Sequence, residues 1–247
     1  MKTDMTTKAE HPDADPSNDA AKGKLMRRIS GIVTIAGFVV LGWAAFIFAP
    51  EDLSQGPPQR IFYVHVPSAW IGFMAFFVVF IYSIKYLIKR DLRSDEIAAA
   101  SAEVGLVFTT GVLITGPIWA RPVWGVYWSW DPRLTSFLVL WLIYLSYVAL
   151  RQYVPDPATR AKFSAVLGIV GFLDVPIVYL SVQWWRALHP ASVVFARGGP
   201  QMPGTMLVAL LVGVATFTAF YIYLLALRLH VGRLSAAKLA NEEEEPA

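Results

Sequence analysis

Six long apolar segments dominate the sequence and restrict the fold more than any other feature. Each is close to the ~20 residues that an α-helix needs to cross a ~30 Å hydrocarbon layer. Strand-like alternation of apolar and polar residues is absent, which argues against a β-barrel. The sequence therefore predicts an all-α integral membrane protein, a bundle of six transmembrane helices. The segments cover residues 29–49, 66–88, 97–119, 134–150, 163–182 and 204–227.

Composition supports a membrane protein and excludes several kinds of site. Only 16% of the residues are charged, whereas soluble domains carry about a quarter. The chain has no cysteine, so disulfides, thiolate metal sites, iron–sulfur ligation and thiol nucleophiles are all excluded.

Lys and Arg are concentrated on one side of the predicted bundle. If the N-terminus is cytoplasmic, 16 of the 21 Lys and Arg residues lie in the inner segments. This asymmetry favours a bacterial inner-membrane protein with both termini in the cytoplasm. The loop between the third and fourth helices, residues 119–135, then faces the periplasm.

The termini are predicted to lie outside the bundle. Residues 1–24 mix acidic, basic and proline residues and are expected to form a disordered cytoplasmic tail. Residues 25–230 form the six-helix transmembrane domain, and residues 231–247 are a cytoplasmic acidic tail.

Tryptophan is unusually dense in the third-to-fourth loop. Residues 119–133 read "WARPVWGVYWSWDPR", with four Trp, one Tyr, two Arg and one Asp. If residues 124–131 form a short helix between the flanking prolines, Trp124, Trp128 and Asp131 share one face.

The other two outer loops each contain a histidine near the predicted membrane boundary, His65 and His189. Neutral imidazole is a common axial ligand of haem iron. Indole rings supply broad apolar contact, and the planar guanidinium of Arg suits carboxylates such as the haem propionates. These residue types fit haem well, although an isolated boundary His or Trp is more often a surface or anchoring residue.

The stretch "WGVYWSWDPRLTS" resembles the tryptophan-rich WWD signature of haem-handling proteins in cytochrome c maturation. The stretches "RIFYVHVPSAW" and "DVPIVYLSVQWWRALHP" resemble the two histidine segments of the haem exporter protein C family, CcmC, of system I. The resemblance extends over nearly the whole chain, from about residue 25 to 229. Tyr127 is a departure, because the family pattern suggests Trp there.

The resemblance implies a function. CcmC-like proteins hold haem b as transient cargo at the periplasmic membrane surface and deliver it to the haem chaperone CcmE. They associate with the ABC-type partners CcmA and CcmB and with the small protein CcmD. This chain contains no G-x-x-x-x-G-K-[ST] motif, so ATP chemistry is assigned to a partner. Whether the loading step counts as a haem lyase-like activity is left open.

With the resemblance included, each predicted site residue has a role. His65 and His189 are expected to bind iron from opposite faces, and Asp131 to orient an Arg or a Trp N–H. Arg121, Arg133 and Arg186 are expected to neutralise propionates. The expected aromatic platform comprises Trp119, Trp124, Tyr127, Trp128 and Trp130, while Trp184 and Trp185 fit either the site or the boundary belt.

Two other functions are compatible with a polytopic chain. A permease subunit of an ABC-type exporter would need several polar residues at mid-membrane depth, where Asp174 is nearly alone. A cytochrome b-like electron-transfer anchor would place paired histidines inside helices rather than at their outer ends. Asp174 is predicted to hydrogen-bond the backbone opened by Pro176 or to pair with another helix. Gly105, Gly111 and Gly116 are predicted to permit close helix packing.

Overall fold

The computed structural model describes residues 16–190, 193–196 and 198–244, and over these ranges the chain is helical with no strand. Six helical stretches are long and apolar enough to cross a membrane, because α5 and α6 together make one crossing. The predicted six-helix membrane bundle is confirmed. The helices are α1 Pro16–Trp43, α2 Phe62–Lys89, α3 Leu92–Trp124, α4 Pro132–Tyr153, α5 Pro157–Phe172, α6 Asp174–Trp184 and α7 Gly204–Glu244.

Aspartate followed by proline starts two of these helices. The Asp131 side chain accepts a hydrogen bond from the main chain of α4, and Asp156 does the same for α5. In both cases proline occupies the first helical position, where its missing N–H has no intrahelical partner to lose. Asp91 caps α3 in the same way, without a proline. These caps fix where α3, α4 and α5 begin.

The terminal helices extend into both predicted tails. Helix α1 begins at Pro16 and α7 continues to Glu244, so the predicted boundaries at residues 24 and 231 fall inside helices. Alanine and lysine, which favour helix, are frequent on both flanks, and Lys238 pairs with Glu242 one turn later at 3.6 Å. Residues 1–15 and 245–247 of the predicted tails lie outside the described ranges.

Helix α2 lies at the centre of the bundle and packs against α3, α5 and α7. A Cβ at Gly105 would lie 2.8 Å from both the Ala75 Cβ and the Phe76 ring, so glycine allows α3 to approach α2 closely. Gly111 has nothing within 4 Å of the same position and does not serve this purpose. The same Phe76 ring stacks on Tyr144 of α4 with ring centroids 3.4 Å apart.

Two bidentate ion pairs join helices at one end of the bundle. Arg151 of α4 donates to Asp95 of α3 at 2.6 and 2.8 Å. Arg228 of α7 donates through Nε and Nη2 to Glu103 of α3. Because a bidentate guanidinium satisfies both carboxylate oxygens, these pairs reduce the cost of placing charge near apolar segments.

The fifth crossing is broken at Leu173, between α5 and α6. Asp174 begins α6, and its Oδ2 atom is buried without a hydrogen-bond partner among the residues described. We predicted that Asp174 bonds the backbone opened by Pro176 or pairs with another helix, and for this oxygen neither contact is found in the described part of the chain. Pro176 lies in the first turn of α6, where a proline is tolerated.

Candidate functional site

The end of α3 brings the two outer-loop histidines into one region. His65 packs edge-on against Trp119 with ring centroids 5.7 Å apart, and His189 packs edge-on against Trp124 at 6.2 Å. The two tryptophans are five residues apart on α3, about 7.5 Å along its axis. The imidazoles are close enough to interact electrostatically. Residues from three separate parts of the sequence therefore meet at one end of the bundle.

His65 lies in the first turn of α2 and is bonded to a side chain of α3. Its Nδ1 is 2.9 Å from Thr115 Oγ1, which in turn is 2.7 Å from the Gly111 carbonyl oxygen. A carbonyl can only accept, so the hydroxyl hydrogen is assigned to this shorter bond. Nδ1–H of His65 then donates to Thr115, and Nε2 keeps its lone pair.

Two further contacts restrict the space around His65. A Cβ at Gly116 would lie 3.3 Å from His65 Cε1, so only glycine leaves ordinary room for the ring. Trp119 donates from Nε1 to Gln55 Oε1 at 2.9 Å. Gln55 thereby links the segment that precedes α2 to the indole that packs against His65.

His189 lies between α6 and α7 and is itself half-buried. Its Nδ1 is 2.9 Å from the carbonyl oxygen of Pro190, so Nδ1–H is the donor and Nε2 again keeps its lone pair. Its main-chain N–H donates to Asp131 Oδ2 at 3.3 Å. Both histidines thus share one tautomer, although the oxygen that sets it belongs to a side chain in one case and to the main chain in the other.

Electrostatics keep His189 neutral at physiological pH. Burial, followed by the nearby Arg133 cation, lowers the pKa of His189 to about 4, while the Pro190 bond and the Asp131 carboxylate oppose this shift. A neutral imidazole retains the lone pair that a metal requires.

Asp131 joins the tryptophan-rich loop to the His189 segment. Its Oδ1 accepts from the main-chain N–H of Leu134 at 2.9 Å, and its Oδ2 accepts from Ser129 Oγ at 3.4 Å and from His189 N. Main-chain N–H groups and a hydroxyl therefore take the place of the expected Arg or Trp N–H. Asp131 fixes both the start of α4 and the position of His189.

The predicted short helix over residues 124–131 is wrong. Gly125 ends α3 in the left-handed conformation, φ 77°, which glycine adopts without strain. Asp131 then caps α4, so the residues between them are irregular. Consequently Trp124 and Trp128 do not share a helix face. Trp124 contacts His189, whereas Trp128 packs edge-on against Trp130 at 5.7 Å.

Several aromatic rings of the predicted platform are open to the surroundings. Trp130 is 76% exposed and Tyr127 is 62% exposed. Trp184 and Trp185 are each more than half exposed and pack edge-on against each other at 5.7 Å. Exposed aromatic rings close together are typical of a surface that binds a ligand, a partner or lipid.

The three predicted arginines differ in their surroundings. Arg133 donates from Nη2 to the Tyr179 carbonyl oxygen at 2.8 Å, while its buried Nε has no partner within the described ranges. Arg121 lies over the Tyr127 ring, 5.6 Å from its centroid, and donates to the Gly125 carbonyl oxygen. Arg186 is exposed. Arg133 is the arginine whose charge acts on His189.

Comparison with known proteins identifies the family of the chain. The family model described as heme exporter protein C matches residues 13–243. The chain belongs to the heme exporter protein C family. It is 40% identical over 186 residues to heme exporter protein C of Bradyrhizobium diazoefficiens, covering 75% of this chain and 71% of the relative. Identity to the Paracoccus denitrificans protein of the same name is 36% over 211 residues, 84% of this chain and 88% of that one. Identity to the Haemophilus influenzae protein of the same name is 32% over 222 residues, which cover 88% of this chain and 89% of that one.

In this member of the heme exporter protein C family, sequence reasoning missed Thr115 and Gln55 and did not connect Gly116 to His65. Thr115 is 50 residues from His65 in sequence, and Gln55 is 64 residues from Trp119. A threonine within an apolar helix and a glutamine in a polar loop are common, so neither carries a local signal. The only usable cue is spacing, because Thr115 and Trp119 lie one helical turn apart.

Proposed function

We propose that this chain holds haem b at the periplasmic surface of the bacterial inner membrane and delivers it to the chaperone CcmE. Membership of the heme exporter protein C family supports haem handling in cytochrome c maturation, with haem as cargo. His65 and His189 are the axial ligands of the iron, one on each face. The observation that carries this proposal is the shared tautomer, since each Nδ1–H is donated to an oxygen and each Nε2 is left with its lone pair. Metal-bound histidines usually have this second hydrogen bond.

The donor set suits haem iron better than a bare metal ion. In the parts of the chain that the structure describes, no group of three or more His, Cys, Asp or Glu side chains could hold a metal ion. A structural zinc site needs four such ligands. Haem iron already has the four nitrogens of its macrocycle and takes only one or two axial ligands from protein. Two histidines are therefore sufficient for haem.

The aromatic residues supply the apolar surface that the macrocycle requires. Trp119 and Trp124 flank the two imidazoles, and the exposed rings of Tyr127 and Trp130 lie in the adjoining loop. A flat apolar ligand would shield such rings from water, which contributes roughly 25 cal/mol for each Å² of apolar surface buried. Trp184 and Trp185 extend this surface from the end of α6.

Two unsatisfied donors support a propionate site in this region. The Nε1 of Trp128 and the Nε of Arg133 are buried and have no hydrogen-bond partner among the described residues. Leaving such a donor unpaired costs about 1–3 kcal/mol, more for a charged group, so a carboxylate oxygen would stabilise either of them. Arg121 and Arg186 are the candidates to bind the second propionate or the solvent-facing oxygen of the first.

Delivery to CcmE requires the loss of at least one axial bond. With both axial positions occupied by imidazole, O₂ has no open site on the iron, which suits a carrier better than an oxygenase. CcmA and CcmB are proposed to use ATP for release of the loaded chaperone, since this chain has no phosphate-binding loop of its own. CcmD is the proposed small partner of the same complex.

The orientation of the site follows from charge. With both termini in the cytoplasm, the five Lys and Arg residues outside the inner segments lie on the periplasmic side, together with the histidines. An alkaline phosphatase fusion at residue 127 is expected to be active, and a fusion at the C-terminus inactive. The reverse result would place the site on the cytoplasmic side and contradict delivery to CcmE at the periplasmic surface.

The test of the function is co-expression with CcmE, followed by haem staining of CcmE and an absorption spectrum of the purified chain. His65→Gly and His189→Gly are expected to change the haem spectrum and to lower CcmE loading, and added imidazole should restore part of the spectrum. His230→Gly, on α7, is the matched control and should behave as wild type. Normal loading in both site variants would rule out the axial assignment.

A further inference from the structure

Thr115 is the hydrogen-bond partner of His65 Nδ1. Its hydroxyl oxygen is 2.9 Å from Nδ1 and 2.7 Å from the carbonyl oxygen of Gly111, one turn earlier on α3. A second helical carbonyl, that of Val112, lies farther away at 3.5 Å. The hydroxyl is thus held between the helix backbone and the imidazole.

The acceptors around this hydroxyl determine where its hydrogen points. A hydroxyl has one hydrogen, and the nearest group that can only accept is the Gly111 carbonyl. With the hydrogen on that bond, the oxygen lone pairs face His65 and accept from Nδ1–H. Ligation of iron by Nε2 requires this same tautomer, because neutral imidazole carries only one proton.

The neighbouring residues leave the ring little freedom to turn. Gly116 lies against Cε1 of His65, where a Cβ would be only 3.3 Å away. Trp119 meets the imidazole edge-on and is itself held by Gln55. Thr115, Gly116 and Trp119 all belong to α3, so a single helix restricts the ring through a hydrogen bond, a close approach and an aromatic edge.

We propose that Thr115 is the positioning residue of His65, holding its Nδ1 proton and ring orientation so that Nε2 faces the iron. This inference rests on the proposed function, since it presupposes that His65 is an axial ligand. The hydrogen bond also increases the electron density that the imidazole donates to iron. Thr115 therefore sets the strength of the His65–iron bond without touching the haem.

Thr115→Val tests the proposal, because valine keeps the branched shape and removes the hydroxyl. Outer-shell changes of this kind typically cost about 10–100-fold in metal affinity. We expect haem to transfer from the purified variant to apomyoglobin about tenfold or more faster than from wild type. The reduction potential of the bound haem should rise, since a less basic ligand stabilises the ferric iron less. Thr115→Ser should restore both values.

Thr110→Val is the matched control. Thr110 lies on the same helix, donates to the Leu106 carbonyl oxygen at 2.7 Å and accepts from an aromatic N–H, that of Trp141, at 2.8 Å. It thus resembles Thr115 in its bond to the helix backbone and in accepting from an aromatic N–H, and neither of these bonds involves His65. We expect its variant to lose some thermal stability and to keep the wild-type potential and transfer rate.

The outcomes separate this proposal from the proposed function. A wild-type potential and transfer rate in Thr115→Val, with His65→Gly defective, would overturn the positioning role and leave the axial assignment standing. An unchanged haem spectrum in His65→Gly would overturn the axial assignment itself. If Thr115→Val fails to insert, Gly116→Ala provides the second variant. It crowds the same ring and is expected to speed haem loss, and a wild-type rate there would also count against positioning of His65 by α3.

Discussion

The two histidines of the site are held in different ways. His65 is part of α2, and its hydrogen bond, its close neighbour Gly116 and its aromatic contact all come from α3. His189 belongs to the segment between α6 and α7, and its Nδ1 is bonded to the carbonyl of the next residue, Pro190. Among the described residues outside that segment, Trp124 contacts its ring edge-on, and the Asp131 carboxylate accepts from its main-chain N–H at 3.3 Å.

If both histidines bind iron as proposed, this difference predicts which of them dissociates first during transfer. Moving His65 would require a shift of two long packed helices, whereas moving His189 would require loss of the Trp124 contact and of one hydrogen bond to Asp131, together with a rearrangement of a connecting segment. Connecting segments generally open at lower free energy than packed helices. On the proposed assignment, we therefore expect His65 to remain bound while His189 dissociates, which leaves one face of the iron open to the chaperone.

The largest predicted effect compares the two ligands directly. His65→Gly should reduce the haem retained on purification by about tenfold or more, because even a change to the hydrogen-bond partner of a metal ligand typically costs about 10–100-fold in affinity. His189→Gly should retain more haem, bound through His65 alone, with the spectrum of a five-coordinate iron. Absorbance of the haem band per mole of protein measures both. Equal retention, or greater loss in His189→Gly, would contradict the assignment of His65 as the fixed ligand.

The second prediction concerns the anchor of His189. Asp131→Ala removes a helix cap, which costs about 1 kcal/mol of stability, and also removes the acceptor of the His189 N–H. Asp156→Ala removes an equivalent cap, also followed by proline, at the start of α5. Both variants should lose similar thermal stability, and only Asp131→Ala should also release haem severalfold faster. Equal release rates would show that Asp131 acts only through α4.

Much of the fold could be predicted from the sequence because membrane crossings have a strong local signal. Length and hydropathy located all six crossings. The tryptophan-rich loop and the two histidines were singled out from residue types and from the family resemblance, and the structure brings both histidines to the same end of α3. The error over residues 124–131 had a local cause, since a glycine that follows a helix and an aspartate that precedes a proline were both visible as ends of helices.

The contacts that orient the histidines could not be predicted. The partners of His65 and Trp119 are Thr115 and Gln55, which are remote in sequence and common in composition. Their positions depend on how α2 packs against α3, and this depends in turn on glycine contacts such as Gly105 on Ala75. A single sequence specifies which segments cross the membrane far more directly than it specifies which faces meet.

The third prediction uses the electrostatics of the His189 side. In the haem-free protein, His189 should titrate near pH 4 rather than near its ordinary value of 6.5. Because the folded pKa is lowered, the unfolded chain binds more protons between these values, and stability should fall as the pH decreases from about 6.5 to 4. NMR of histidine-labelled protein measures the titration directly.

Matched arginine variants sharpen this titration. Arg133→Gln removes the cation that helps to lower the pKa of His189 and should shift the titration upward. Arg186→Gln removes an exposed arginine of the same loop region that is not among the groups acting on His189 and should leave it unchanged. Equal shifts in both variants would indicate a general effect of net charge rather than the proximity of Arg133.

The smallest predicted effect compares the two tryptophans that flank the imidazoles. Trp119→Phe keeps an aromatic edge against His65 and loses the hydrogen bond to Gln55, which is worth about 1 kcal/mol. A change of that size corresponds to about fivefold in an equilibrium constant, so haem should be lost about fivefold faster. Trp124→Phe keeps its edge against His189, which is already 6.2 Å away, and should change the rate by less than about twofold.

Gln55→Leu should reproduce most of the Trp119→Phe effect, and adding it to Trp119→Phe should contribute little more, because both variants remove the same bond. If Trp124→Phe were the more damaging variant, the His189 side would be the more tightly organised one, and the order in which the ligands leave would have to be reversed.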